Sequence, residues 1–206
     1  YKLTLGLPRG LTSTTGMDAI THAVEAFIGN TRTPETKKMA INAVKLVKEN
    51  LYECYINPTN PVARQNMLLA SHYAGIAFTK SYVGYVHAIA RSLVGKYGIP
   101  HGLANAVILP VVLKEYGSKA YKKLAHLAYE ANIASKDENI DIAANKFISW
   151  ILEMNEKMNI PTDFEQIKEE DILKMVSLGM KEAHPMYPVP KILNKKDLID
   201  IYKEII

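Results

Sequence analysis

The sequence predicts an all-α domain of about eight helices, and three observations carry that prediction. Apolar residues recur at three-to-four spacing through most of the chain. Period-two alternation is almost absent beyond the first few residues, and helix start and stop residues punctuate the periodic stretches. With 206 residues and 48% hydrophobic content, the chain can bury a core within one compact domain.

Residues 1 to 13 contain Gly6, Pro8 and Gly10 and read as an extended lead-in segment. From Thr14 or Thr15 the pattern turns helical through Met17, Ile20, Ala23, Val24 and Phe27, and it ends at Gly29-Asn30. Thr33-Pro34 and Asn60-Pro61 each supply an N-cap followed by proline at the first helical position, starting the second and third helices. The third carries many small residues, which predicts close helix contact. A fourth covers Val83 to Tyr97 and stops at Gly98, with Pro100 just beyond. His101 to Tyr116 reads as a helix that Pro110 should kink or divide. Further helices are expected over Ser118 to Ile133, Ile140 to Met158, Glu169 to Ala183, and Asn194 to the C-terminus. No repeat or linker divides the chain.

Bulk properties remove several function classes. The net charge of +4 comes from scattered lysines with acids between them, so a nucleic-acid partner has no support. The longest apolar run, Leu103 to Leu113, is interrupted and falls short of the ~20 residues of a membrane span. Cys54 is the single cysteine, which excludes an internal disulfide and paired-thiolate metal sites and fits a cytoplasmic setting.

The chemistry concentrates in four residues. Asp18 and His22 are four apart and share one helical face, His87 lies in another helix, and His101 opens the next one after a Gly-Ile-Pro break. Three imidazoles and one carboxylate form an N3O set suited to Fe(II) or Zn(II), with room for a substrate oxygen. For Asp18 and His22 alone, a simple hydrogen bond is the plainer explanation. His72, His126 and His184 have no partner at ligand spacing and are expected to be surface or satisfied core histidines.

The stretches Thr15-Gly-Met-Asp-Ala-Ile-Thr-His-Ala-Val-Glu25, Ala63-Arg64 with Met67 and Ala70-Ser71, Val86-His87-Ala88, Pro100-His-Gly-Leu-Ala-Asn-Ala106 and Leu109-Pro110 occur in order over nearly the whole chain. In this the chain resembles the iron-containing (group III) alcohol dehydrogenase family, and only its C-terminal helical metal-binding domain, of dehydroquinate synthase-like fold. The resemblance implies that Asp18, His22, His87 and His101 are the metal ligands, with Fe(II) first and Zn(II) second. It also implies interconversion of a small alcohol and its aldehyde by hydride transfer to NAD(P), and it places Leu7 and Leu11 beside that cofactor, where ordinary packing is the competing reading.

The eleven glycines are dispersed, and no glycine-rich phosphate loop follows a strand. A nucleotide-binding domain is therefore expected to lie outside this sequence, which begins at Tyr1, and the chain is expected to be incomplete as a dehydrogenase on its own. That expectation extends to exposed apolar surface, with the nucleotide-binding domain, a partner chain or a second copy as its partner. The position four residues after His87, usually histidine in the family, is Arg91. As a candidate catalytic residue it means a lost proton relay or a gained anchor for an anion, against a plain substitution turned to solvent. Tyr187-Pro188-Val189-Pro190 departs as well, since relatives commonly carry asparagine before the proline. Polyol dehydrogenases using Zn(II) compete within the same class. A non-catalytic helical metal-binding module and a helical metal-dependent phosphohydrolase are the alternatives outside it.

Overall fold

The computed structural model describes residues 1–206 and contains only helices. Nine α-helices run in order: α1 Arg9–Ile28, α2 Pro34–Ile56, α3 Pro61–Ser81, α4 Tyr85–Tyr97, α5 His101–Tyr116, α6 Ser118–Glu130, α7 Ile140–Lys157, α8 Ile172–Ala183 and α9 Lys195–Glu204. None is long and apolar enough to cross a membrane. The expected caps are in place. Thr33 accepts from the Thr36 amide ahead of Pro34, and Asn60 accepts from the amides of Val62 and Ala63 around Pro61.

Two local expectations need correction. The lead-in is not extended: Lys2–Thr4 forms a 3₁₀ turn, and α1 begins at Arg9, five or six residues before the expected start. Pro8 stands just before the first helical residue, where its ring is compatible with a helix start. The hydroxyls of Ser13, Thr14 and Thr15 bond back to the carbonyls of Gly10, Gly10 and Leu11, so this polar run is absorbed by its own first turns.

Pro110, in turn, does not divide α5. It has no N–H for the carbonyl of Ala106, and Asn155 of α7 replaces it, donating from Nδ2 to that oxygen at 2.7 Å. The proline is thus tolerated because a neighbouring helix supplies the lost bond.

α1 is the axis of the fold, packed by α2, α3 and α5, while α4 lies against α5 and α8. Met17, Ile20, Ala23 and Val24 of α1 are fully buried in one continuous core with Val86, Ile89 and Ile108. α5 approaches α1 closely at Gly102, where an added Cβ would stand 2.6 Å from the Thr14 carbonyl oxygen. Only glycine permits that approach, and it brings the start of α5 alongside the Asp18 turn of α1. Cys54 is buried.

Candidate metal centre

Three helices contribute to one cluster. Asp18 and His22 come from α1, His87 from the first turn of α4, and His101 is the first residue of α5. Ligand-capable atoms of Asp18, His22 and His87 all lie within 4.8 Å of one another. His101 joins them from the outer side, its Nε2 3.7 Å from Asp18 Oδ1 and its ring centroid 5.3 Å from that of His87. The Asp18 carboxylate also lies 3.7 Å from His22 Nδ1 and 3.8 Å from His87 Nε2. The structure therefore brings the four sequence-predicted ligands to one place.

The cluster is graded from inside to outside. The side chain of His87 is 3% exposed and that of His101 39%, with His22 and Asp18 between them. Phe78 of α3 stacks on the His22 ring at 4.2 Å between centroids and walls off that side. Burial, reinforced by the neighbouring His87, pushes His22 down to about 4. Burial also lowers His101, with Asp18 opposing and His87 and Arg91 adding to the shift. Both imidazoles are accordingly neutral near pH 7 and keep a lone pair for coordination.

These residues fit a cation because they hold too many acceptors for the available hydrogens. The Nδ2 of Asn105, one turn along α5 from His101, sits 2.6 Å from Asp18 Oδ1, 3.1 Å from His101 Nε2 and 3.3 Å from His87 Nε2. An amide NH₂ has two hydrogens for these three acceptors, and Asn105 Oδ1 is itself buried without a partner. His87 Nε2 and His22 Nε2 face each other at 3.0 Å. A cation would satisfy these converging acceptors together, and the donor set of three imidazoles and a carboxylate suits Fe(II) or Zn(II).

Asn105 and Glu25 take part in the cluster although the sequence reading did not single them out. Glu25, 3% exposed, accepts from His87 Nδ1 at 2.6 Å. Spacing could have found both: Glu25 lies three residues after His22 on the α1 face, and Asn105 four after His101.

The remaining candidates lie apart from the cluster. Arg91, 57% exposed, pairs with Glu182 of α8, and Tyr187 donates to the same carboxylate oxygen at 2.5 Å. Arg91 and Tyr187 thus meet on one glutamate. Leu7 lines a cleft with Thr12, Gly16, Arg64 and Met67, while Leu11 is exposed on the first turn of α1. His184 bonds to the Tyr85 hydroxyl and His126 packs on Phe27, both away from the cluster.

Comparison with known proteins points the same way. Residues 12–206 match the model of the Fe-containing alcohol dehydrogenase family, C-terminal. The chain is 38% identical to a 1,3-propanediol dehydrogenase of Citrobacter freundii, covering 98% of this chain and 52% of that protein. It is 32% identical to an NAD-dependent methanol dehydrogenase of Bacillus methanolicus, covering 95% and 52%. The crystal structure of a 1,3-propanediol oxidoreductase superposes with a TM-score of 0.93 at 34% identity, covering 98% of this chain and 53% of that one. The chain thus spans about half the length of the curated relatives it matches.

Proposed function

We propose, from the premise that this chain belongs to the Fe-containing alcohol dehydrogenase family as its C-terminal helical part, that it supplies the metal side of an NAD(P)-dependent alcohol dehydrogenase. The convergence of Asp18, His22, His87 and His101 acceptors on one point carries this reading. Those four residues would hold the divalent ion, Fe(II) first and Zn(II) second. When bound, that ion supplies Lewis-acid polarisation of an alcohol or aldehyde oxygen.

The chain's own residues do the rest of the work on this side. Asp18 balances part of the cation's charge, and buried His87 with Phe78-backed His22 closes the inner side against water. His101, the most exposed ligand, marks the side from which a small alcohol or aldehyde reaches the centre. Hydride transfer also needs a nicotinamide. NAD(P) would be carried by a nucleotide-binding domain outside this sequence, with Leu7 and Leu11 on the face toward it. Leu3, Leu11, Val62 and Leu68 stand exposed, as a partner-facing surface requires, for that domain or a second copy.

The test is NAD(P)H oxidation with short aldehydes, comparing the iron- or zinc-loaded chain alone with the chain joined to a nucleotide-binding domain of the family. Turnover only in the joined form supports the proposal. Metal binding without turnover in either form supports a non-catalytic metal module.

A further inference from the structure

We infer that Glu25 is the positioning residue of the centre: it fixes which nitrogen of His87 faces the metal and ties α4 to α1 in the register the ligands need. The inference rests on the metal reading above and assigns a role to a residue that contributes no ligand atom.

Glu25 is 3% exposed, yet no lysine or arginine pairs with it. A carboxylate buried on those terms must be compensated by hydrogen bonds. It receives two, both from α4. Oε1 accepts from the amide of Val86 at 2.9 Å, and Oε2 accepts from His87 Nδ1 at 2.6 Å. Val86 is the second residue of α4, whose N-cap, Gly84, offers no side-chain cap. A carboxylate from another helix therefore caps α4 and sits at the positive end of its dipole.

The second bond decides the tautomer. With Nδ1 donating to Oε2 of Glu25, Nε2 is the nitrogen that presents its lone pair toward Asp18 and His22. Asp18, His22 and Glu25 all belong to α1. One helix thus supplies two ligands and aims a third that belongs to another.

Gly84 gives independent support. A Cβ built there would stand 2.7 Å from Glu25 Oε1 and 3.4 Å from the Tyr116 hydroxyl. The α4 N-terminus is close enough to receive the carboxylate only because residue 84 has no side chain.

The experiment reads the proton position and the affinity separately. Nitrogen-15 NMR of the metal-free wild-type chain should place the His87 proton on Nδ1. In Glu25→Gln, the amide oxygen can still accept from Val86, which leaves the NH₂ facing His87. The proton should then move to Nε2, and Zn(II) affinity, measured by chelator competition, should fall about 10- to 100-fold. Gly84→Ala, which changes neither ligand nor carboxylate, should weaken Zn(II) in the same direction. An Nε2 proton on His87 in the wild type overturns the inference even if Glu25→Gln does not fold. So does a folded Glu25→Gln that binds Zn(II) within about twofold of wild type. A wild-type chain that binds no zinc overturns the proposed function, and the proton position on His87 then decides this inference by itself.

Discussion

His87 and Arg91 stand one helical turn apart on the same face of α4, and they end in opposite kinds of site. His87 is buried among acceptors that outnumber the hydrogens available to them, with Asp18, His22, His101 and Asn105 drawn in from two other helices. Arg91 lies at the surface, where Glu182 answers its charge and Tyr187 occupies the same carboxylate oxygen. The first arrangement leaves converging acceptors that a cation would satisfy. The second is already balanced and needs nothing. Both contain charged and polar residues at close range, so proximity alone does not mark a binding site. The difference lies in unsatisfied lone pairs held away from water.

The contrast predicts a descending series of effects. Asp18→Ala or His87→Ala should cost more than about 100-fold in divalent-metal affinity, since removing a ligand must exceed the loss of an outer-sphere partner. Chelator competition reads this directly, and near-wild-type affinity would erase the distinction between the two regions. Asn155→Leu is the control for burial without a metal. It orphans the Ala106 carbonyl beneath Pro110 and should lower stability by about 1–3 kcal/mol while metal affinity stays unchanged. A loss of affinity equal to that of Asp18→Ala would show that the centre responds to any damage in α5.

Acid offers a third test on the metal-free chain. His22 binds its proton near its ordinary 6.5 when unfolded and only at about 4 when folded, chiefly because it is buried. Between those values the unfolded state holds more protons, so stability should rise with pH from about 4 to 6.5 and its His22 contribution should level off above. Urea midpoints across that range measure it. His22→Phe should flatten the slope, and an unchanged slope would place the acid sensitivity elsewhere.

The smallest effect belongs to the rim. A double-mutant cycle on Arg91 and Glu182 should give about 1 kcal/mol or less, reduced by salt, because both side chains are partly solvated. Arg91→His should leave metal affinity as it was. Its pH profile of turnover in the joined enzyme then separates a lost proton relay, which changes the profile, from a surface pair, which leaves it alone.

The helical content and the four candidate ligands were legible in the sequence because helix periods and the Asp18–His22 pairing depend on local spacing. Caps at Thr33 and Asn60 start their helices where the residues say they should, and Asp18 and His22 share a face by period alone. What the sequence hid depends on distant partners. Pro110 reads as a break unless Asn155 is known to stand behind it, and Arg91 reads as a free charge until Glu182, 91 residues away, is placed against it. The early start of α1 was obscured differently, by a run of hydroxyl side chains that satisfy their own backbone. Glu25 was readable from its spacing to His22, but its role depends on α4 arriving at Gly84.

The X-ray absorption spectrum of the Zn(II)-loaded chain reads the Asp18, His22, His87 and His101 centre itself. One zinc per chain is expected, with a first shell of nitrogen and oxygen at about 2.0–2.2 Å and outer-shell scattering from three imidazoles. An all-oxygen hydrated shell, or a spectrum unchanged by His87→Ala, would contradict it.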